Sequence, residues 1–248
     1  MSHYETICWM VELGLIRYGP ACELQRRLVE ARKARLIPDV LLLCEHPHII
    51  TLGRNGDAQH VRASRRILEE MRVEFDSSDR GGDVTYHGPG QIVAYPIVDL
   101  AQHRRDIRWY VEQLEEIMIR TSAGFGVPAK RIQGQHGVWV DGPAGEEKIG
   151  ALGVHISRWV TSHGFAYNVS ADLRYFDLII PCGIAGKGVT SLDRVLGRPV
   201  SLEEVRTRLA SDFSIVFNRH PQPMAPAQLA EWLLPQQEMA PDALPLTT

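Results

Sequence analysis

Hydrophobic positions along the chain follow two spacings, one typical of β-strands and the other typical of α-helices. Residues 5–16 alternate loosely between apolar and polar, which predicts a half-buried strand, and the apolar run 40–44 predicts a buried one. Apolar side chains recur at helical spacing over 20–35 and again over 106–123, where they form one stripe. The first half of the chain therefore combines strands with amphipathic helices.

Capping signals and short apolar runs complete the predicted elements. Ser64 is placed to cap a short helix, and Ser201 with Glu204 forms a capping box that opens a longer one. The glycine-rich stretch 80–91 predicts a hairpin between the strands on its two sides. Strands are further predicted at 73–75, 84–86, 92–97, 138–140, 148–156, 161–169 and 178–180.

Composition narrows the class of protein without identifying its chemistry. The chain has 248 residues, of which 44% are hydrophobic and 23% charged, which is typical of a globular protein with one large core or two small ones. A net charge of −3 gives no overall attraction to nucleic acid or to an anionic membrane. No apolar run approaches the ~20 residues of a membrane helix, and the N-terminus lacks the pattern of a secretory signal.

The spacing of cysteine and histidine residues indicates the redox compartment of the protein and whether it binds a metal. The four cysteines show no CxxC pair, which indicates free thiols in a reducing compartment, so a cytoplasmic protein is expected. His46 and His48 stand two residues apart, but no third ligand follows at zinc spacing, and we predict no metal site.

The C-terminal stretch differs in composition from the rest of the chain. Six prolines fall after Asn218, and only 229–234 has the pattern of a helical turn. We therefore predict one folded domain over 1–218 and a proline-rich tail over 219–248 that is loosely docked or disordered.

Cys182 is the residue around which we predict the chemistry of the chain. It follows an apolar run and Pro181, and glycines stand at 183, 186 and 188, so its thiol is expected where a strand gives way to a loop that can approach a ligand. A lone cysteine is most often a small buried hydrophobic residue. A reactive one must be a thiolate, which requires a nearby positive charge or a helix N-terminus. The hypothesis of a nucleophile therefore depends on a partner elsewhere in the chain.

Lys148 is a candidate for that partner because it enters a strand rich in small residues. An ammonium near a thiol stabilises the thiolate and lowers the pKa of the cysteine, while desolvation lowers the pKa of the lysine. Such a pair suits acyl transfer from a thioester, in which the sulfur attacks and the amine carries the proton. The residues alone leave other candidates open for the role of Lys148: Lys187, His87, His155 and His163.

The stretch 80–91 mixes glycine and proline with Arg, Asp, Tyr and His side chains. We interpret it as a substrate cradle as well as a hairpin, with Arg80 and backbone N–H groups facing an anion or a carbonyl oxygen. It is not a P-loop, because the G-x-x-x-x-G-K-[ST] spacing is absent. Gly150 and Gly153 are expected to leave room beside their strand for an acyl chain or a pantetheine arm.

Five segments carry these features in a fixed order along the chain: Glu45–Pro47, Arg80–Gln91, Lys148–Gly153, His163–Asn168 and Pro181–Gly183. Together they resemble the lipoyl(octanoyl) transferase family. The likeness runs from about residue 10 to residue 217, does not cover the tail, and makes 1–218 the catalytic domain.

The resemblance implies an α/β fold of the α+β type, with a mixed β-sheet core flanked by helices, similar to the catalytic domains of biotin and lipoate protein ligases. It implies an acyltransferase that moves octanoate from the phosphopantetheine thioester of acyl carrier protein to a lysine ε-amine, the first step of endogenous protein lipoylation. The implied acceptors are lipoyl domains of 2-oxoacid dehydrogenase E2 subunits and the glycine cleavage H protein. No cofactor or ATP is expected, and neither nucleic acid nor a membrane is an expected partner.

The resemblance also implies roles for individual residues. Cys182 carries the acyl-thioester intermediate, and Lys148 tunes that cysteine. Substrate contacts are implied at Arg80, Gly81, Gly82, Asp83, Val84, Thr85, Tyr86, His87, Ala151, Leu152, Gly153, Gly164, Phe165 and Ala166.

Two other functions stay open at this stage. A lipoate or biotin ligase would share the fold but would activate a free acid with ATP, and it would not need a nucleophilic cysteine. A non-catalytic module that binds acyl carrier protein would show no turnover. The presence of both Lys148 and Cys182 argues against that module.

Overall fold

The computed structural model of the protein describes residues 6–143, 145–180 and 187–233. Within these ranges the strands are β1 (Ile7–Leu15), β2 (Asp39–Glu45), β3 (Ile49–Leu52), β4 (Glu74–Ser77), β5 (Val84–His87), β6 (Gln91–Ile97), β7 (Lys130–Ile132), β8 (Gln135–Gly142), β9 (Gly145–Ser157), β10 (Val160–Asn168), β11 (Gly188–Val189) and β12 (His220–Pro223). The helices are α1 (Tyr18–Lys33), α2 (Arg65–Glu70), α3 (Ile107–Gly124), α4 (Leu192–Leu196), α5 (Leu202–Phe217) and α6 (Pro226–Leu233).

Most strands belong to one large mixed sheet. Its order is β12-β1-β2-β6-β10-β9-β8-β7, and β11 pairs with β9 outside this path. The strands β12, β1 and β2 run parallel, whereas the pairs from β2 through β6, β10, β9 and β8 to β7 are antiparallel. The predicted fold class, a mixed sheet flanked by helices, is confirmed.

Helices cover the large sheet on both faces. Cys8 and Met10 of β1 point to one face, in a core shared with α3 and α5. Trp9 and Val11 point to the other face, in a core shared with α1 and α6. The prediction that this strand is half-buried is therefore wrong over residues 8–11, where both faces are covered and each large apolar side chain gains about 1.5–3 kcal/mol from burial, whereas Leu15 at its end is exposed.

A second sheet of three strands has the order β4-β3-β5. The predicted hairpin over 84–97 is wrong, because β5 pairs with β3 in this sheet while β6 pairs with β2 and β10 in the large one. The turn between them therefore connects two sheets. At that turn Gly90 has φ +83°, and a Cβ there would lie 2.7 Å from the Ser170 backbone, so only glycine fits.

The segment before Cys182 is a 3₁₀ helix at 173–178 and not the strand predicted over 178–180. The Asp172 side chain accepts a hydrogen bond from the N–H of Arg174 and caps this helix. Ile179 forms a single bridge with Val61, so the predicted strand is reduced to one pair.

Residues 220–233, part of the predicted tail, form β12 and α6 against the edge of the large sheet. The prolines of β12 are compatible with its place as the outermost strand, where a missing N–H does not break a ladder. In α6, Leu229 is buried and the Trp232 ring lies 5.5 Å from the Trp9 ring. Among the helices in the described ranges, none is long and apolar enough to cross a membrane.

Candidate active site

A cavity of about 570 Å³ lies against β9 and β10, a volume within the range of small-molecule sites. The loop that leads into β5 forms another wall, and Tyr18 at the start of α1 also lines it. Other lining residues belong to none of the stretches that the sequence singled out as substrate contacts: Tyr18, Asn55, Val93, Tyr95, Val111, Gly134, Gln135, His136 and Val154. Several of them are apolar or aromatic, and the wall of the cavity is largely apolar.

The residues implied as substrate contacts come from three separate stretches of the chain, and the fold brings them to this one cavity. Residues 80–85 and His87 line it, as do 151–153 of β9 and 164–166 of β10. The antiparallel pairing of the two strands, with Gly153 opposite Gly164, places the last two stretches side by side. Lys148 also lines the cavity.

Tyr86 is the exception among the implied contacts, since it does not line the cavity. Its hydroxyl is hydrogen-bonded to His48 Nδ1 at 2.8 Å, and its ring stacks on Tyr175 and meets Phe176 edge-on. Successive side chains of a strand point to opposite sides, so Tyr86 turns into the core of the small sheet while its neighbours Thr85 and His87 reach the cavity.

The glycines of β9 and β10 serve close packing and do not provide the acyl space that the sequence suggested. A Cβ at Gly150 would lie 2.4 Å from Met118 Sδ, on the side covered by α3. A Cβ at Gly153 would lie 2.7 Å from the Gly81 carbonyl oxygen, and one at Gly164 would lie 2.2 Å from the carbonyl oxygen of Ala94. Glycine at 153 therefore lets the loop of residues 80–83, here called the cradle loop, pack against β9. Glycine at 164 lets β6 pack closely against β10.

Arg80 uses its guanidinium to fasten the cradle loop to β3. Its Nη2 donates to the Thr51 carbonyl oxygen at 2.7 Å and to Thr51 Oγ1 at 2.9 Å, while Nη1 donates to the Gly81 carbonyl oxygen at 3.1 Å. The side chain is buried, so these bonds satisfy a charge that has left water. Arg80 thus shapes the wall of the cavity through the loop that it holds.

Lys148 is buried beside Trp139, its antiparallel partner on β8. Its Nζ lies 4.6 Å from the centre of the indole ring, within the range of a cation–π contact. A Cβ at Gly137 would lie 3.3 Å from the Cε atom of Lys148, so the absent side chain leaves space for the lysine stem. Trp139 could not be identified from the sequence, because the register of β8 against β9 is not visible in a local pattern.

Cys182 lies outside the described residues, but the chain on its C-terminal side returns to Lys148. The strand β11 runs parallel to β9, with Val189 opposite Lys148, and the N–H of Thr190 donates to the Lys148 carbonyl oxygen at 3.0 Å. Lys187 places its Nζ 5.0 Å from the same indole and 3.2 Å from Glu146 Oε2. Two side-chain amines therefore share one aromatic ring.

Burial disfavours the charged form of two histidines that were proposed as competitors of Lys148, His87 and His163. Burial above all, with a contribution from His46, lowers the pKa of His87 to about 3, so its ring is neutral at pH 7. Burial also lowers the pKa of His163, whose Nε2 lies 2.7 Å from Asp79 Oδ1. His155 contacts Asp79 as well and does not line the cavity. The amines beside Trp139 are therefore the better source of positive charge.

Comparison with known proteins decides the family. A family profile described as "Lipoyl protein ligase A/B catalytic domain" matches residues 17–214. The chain belongs to this family. The resemblance inferred from the five motifs is confirmed, and the match ends before β12 begins.

Relatives named octanoyltransferase match most of the chain. The one from Solibacter usitatus is 51% identical over 211 residues, which are 85% of this chain and 93% of that protein. The one from Acidobacterium capsulatum is 49% identical over 219 residues, which are 84% of this chain and 89% of that protein. The predicted enzyme class, an acyltransferase, is the class of these relatives.

Among solved structures, a bipartite lipoate protein ligase from Thermoplasma acidophilum superposes with a TM-score of 0.69 at 17% identity. The superposition covers 93% of this chain and 91% of that one. At this identity the likeness concerns the fold alone, and it confirms the predicted similarity to lipoate protein ligase catalytic domains.

Proposed function

We propose that this protein transfers an octanoyl group from the phosphopantetheine thioester of acyl carrier protein to a lysine ε-amine on a lipoyl domain. The observation that carries the proposal is the placement of Lys148 in the wall of the cavity, with the chain that follows Cys182 hydrogen-bonded to its strand. The choice of octanoyl as the acyl group rests on the relatives named octanoyltransferase, which are about half identical to this chain over most of their length.

Two exchanges at one sulfur make up the proposed reaction. The Cys182 thiolate attacks the thioester carbonyl, a new C–S bond forms, and the pantetheine sulfur leaves and takes up a proton. The acceptor amine then attacks the Cys182 thioester, a C–N bond forms, and the cysteine sulfur leaves while the nitrogen loses its proton. The Lys148 amine is the group that stabilises the thiolate and carries the proton between the two steps.

Energetics are consistent with a reaction that needs neither ATP nor another cofactor. Exchange between two thioesters is nearly balanced, and conversion of a thioester to an amide is downhill. The apolar wall of the cavity includes Leu152 and Phe165, and burial of an acyl chain there is worth about 0.8 kcal/mol per methylene. That apolar contact supplies selectivity for the acyl group, and it requires no metal.

The proposed partners are acyl carrier protein as donor and, as acceptors, lipoyl domains of 2-oxoacid dehydrogenase E2 subunits and the glycine cleavage H protein. The reaction would be the first step of endogenous protein lipoylation, and its proposed place is the cytoplasm.

One incubation tests the proposal directly. The protein is mixed with octanoyl-acyl carrier protein and a lipoyl domain in the absence of ATP, and both proteins are read by mass spectrometry. We expect an octanoyl adduct on Cys182 when the lipoyl domain is omitted, and its transfer to the lipoyl domain when it is present. Cys182→Ala should form no adduct, whereas Cys22→Ala, which removes a partly exposed thiol elsewhere in the chain, should behave as the wild type.

Three outcomes would contradict the proposal. An adduct that persists at full stoichiometry in Cys182→Ala would remove the cysteine from the reaction. Pyrophosphate release that requires free octanoate and ATP would indicate a ligase. Binding of acyl carrier protein without turnover would indicate a binding module.

A further inference from the structure

A chain of buried amides runs from His87 to the strand of Lys148. His87 Nδ1 lies 2.7 Å from Gln91 Oε1, and Gln91 Nε2 lies 2.8 Å from Asn168 Oδ1. Asn168 Nδ2 in turn lies 3.0 Å from the Thr190 carbonyl oxygen. Both amides are almost fully buried, so each of their polar atoms must be satisfied by protein.

Two backbone carbonyl groups determine which atom donates and which accepts in each hydrogen bond between these side chains. The Thr190 carbonyl oxygen only accepts, so the Asn168 atom that faces it must be the NH₂ group. Asn168 therefore presents its oxygen to Gln91, which must offer its own NH₂ group. The Tyr86 carbonyl oxygen, 3.3 Å from Gln91 Nε2, requires the same orientation. Two fixed carbonyls thus leave the Gln91 oxygen facing His87.

This direction determines the tautomer of the imidazole. An oxygen that faces Nδ1 requires a proton on Nδ1, so in the neutral ring Nε2 carries the lone pair. Among the described residues, none forms a hydrogen bond with His87 Nε2. His87 also lines the cavity. Burial keeps the ring neutral by lowering the pKa of His87 to about 3. The titratable or charged side chains that face the ring are Tyr18, His46, Arg80 and His163.

The same amides connect this imidazole to Lys148. Asn168 ends β10, and β11 continues beside β9 from the point where β10 stops. Thr190, which receives the Asn168 amide, donates its own N–H to the Lys148 carbonyl oxygen. His87 and Lys148, which both line the cavity, are therefore connected through one hydrogen-bonded path.

We propose that Gln91 and Asn168 are positioning residues that hold His87 as the neutral Nδ1–H tautomer, so that its Nε2 accepts a hydrogen bond from an N–H group of a substrate in the cavity. The identity of those substrates rests on the proposed function. Two N–H groups fit this chemistry, the amide of the pantetheine arm and the ε-amine of the acceptor lysine. His87 acts as a hydrogen-bond acceptor and does not take the proton, because a ring this difficult to protonate is a weak base.

Nitrogen NMR of ¹⁵N-histidine-labelled protein tests the tautomer without any turnover. The His87 resonances, assigned by their loss in His87→Gln, are expected to show a protonated Nδ1 and an unprotonated Nε2 from about pH 5.5 to pH 8. A protonated Nε2 in the neutral ring, or a titration of His87 within that range, would overturn the proposal. This measurement needs only wild-type protein beyond the assignment, so it stands even if other variants do not fold.

Two isosteric variants separate the two ends of the amide chain. In Gln91→Glu a carboxylate faces Nδ1–H and stabilises the imidazolium, so His87 should become doubly protonated within the same pH range. In Asn168→Asp the carboxylate still accepts from Gln91 but no longer donates to Thr190, so the His87 tautomer should be unchanged. An unchanged His87 signal in Gln91→Glu would overturn the assignment of the network.

The rates of the two half-reactions identify which N–H group donates a hydrogen bond to His87. Gln91→Glu should lower kcat by about tenfold with little change in KM, because a doubly protonated His87 can no longer accept a hydrogen bond at Nε2. Slower acylation of Cys182 points to the pantetheine amide, and slower transfer from Cys182 points to the acceptor lysine. Gln222→Glu, an exposed position, adds the same charge as a control and should change neither step.

Failure of this proposal is distinguishable from failure of the proposed function. If neither half-reaction slows in Gln91→Glu while octanoyl transfer by the wild type is intact, the positioning role is wrong and the activity stands. If the wild type shows no octanoyl transfer, the activity fails while the NMR result still decides the tautomer of His87.

Discussion

The Nζ atom of Lys148 lies 4.6 Å from the centre of the Trp139 ring, and this indole also has the Lys187 amine within 5.0 Å. A cation over an indole face gains about 0.5–2 kcal/mol, most when the contact is removed from water. Lys148 is 8% exposed, whereas Lys187 is more accessible and is already paired with Glu146. The two amines are therefore held differently, although they share one ring.

This difference predicts unequal effects of the two lysines on Cys182. In Lys148→Ala, alkylation of Cys182 should be slowed about tenfold at pH 7 and should require higher pH, because the thiolate loses the charge that we propose stabilises it. Lys187→Ala should change the rate much less, since Glu146 already balances that charge. The measurement is the rate of alkylation against pH, read on the peptide that contains Cys182. An unchanged curve in Lys148→Ala, or an equal shift in Lys187→Ala, would contradict the assignment.

Two glycines on the cavity wall are predicted to reject even a methyl group. Gly164→Ala places a Cβ 2.2 Å from the Ala94 carbonyl oxygen, and Gly153→Ala places one 2.7 Å from that of Gly81. Both neighbours are backbone atoms, so the strand or the cradle loop must move, at a cost of about 1–3 kcal/mol. Urea unfolding should show this loss, and octanoyl transfer should fall further than the loss of folded protein explains.

Gly19→Ala is the matched control for these substitutions. Nothing lies within 4 Å of a Cβ at Gly19, which stands in the first turn of α1. Alanine there should leave transfer unchanged and should raise stability by a few tenths of a kcal/mol to about 1 kcal/mol. Equal losses at all three positions would show that the cavity wall is not special.

Local patterns predicted the elements of this fold better than their partners. The stripe over 106–123 and the capping box at Ser201 each correspond to a helix, α3 and α5, because such signals act within a few residues. The hairpin over 84–97 was wrong because strand partners are chosen by contacts far apart in the chain, and β5 joins β3 instead. For the same reason, the sequence did not reveal that Trp139 of β8 lies opposite Lys148 of β9.

The candidate site shows the same division between local and distant information. Motifs placed His87 and Gly153 among the implied contacts, and both line the cavity. Tyr86, in the same motif, faces the other way, because alternation along β5 decides which side each residue takes. The amides of Gln91 and Asn168 belong to motifs as well, yet their role depends on Thr190, which only the folded chain brings near.

A buried cluster of charged side chains around Asp39, the first residue of β2, predicts that the stability of the fold depends on pH. The Asp39 carboxylate accepts bonds from Arg32 Nε at 2.9 Å and Arg219 Nε at 2.7 Å. Burial alone would raise the pKa of Asp39, but His103 and the two guanidinium groups outweigh it and lower the pKa to about 2. Because the folded pKa is below the unfolded one, the stabilisation is present above about pH 4 and is lost as pH falls toward 2.

The predicted size of this contribution is about 2 kcal/mol, since one pKa unit corresponds to ~1.4 kcal/mol. Asp39→Asn should cost about 3–5 kcal/mol at pH 7, because it removes the carboxylate that both buried guanidinium groups contact most closely and leaves Arg32 with Asp99 at 3.9 Å. It should also flatten the fall in stability between pH 4 and pH 2. Urea unfolding over that pH range is the measurement, with the exposed Asp76→Asn as control. A fall in stability that is the same in Asp39→Asn and wild type would assign it to other carboxylates.

Removal of the residues after Arg219 is predicted to weaken the fold without removing the proposed chemistry. The truncated chain loses β12 from the edge of β1 and the burial of Leu229, so Tm should fall by roughly 5 °C or more, and the exposed strand edge should promote association. Every described residue that lines the cavity lies before Tyr167, and Cys182 also precedes the truncation, so transfer per folded molecule should be retained. Leu229→Ala isolates the packing of α6, leaves β12 in place, and should lower Tm without association. A truncated chain that keeps both the Tm and the monodispersity of the full one would show that β12 and α6 contribute nothing to the domain, and that the sheet in effect begins at β1.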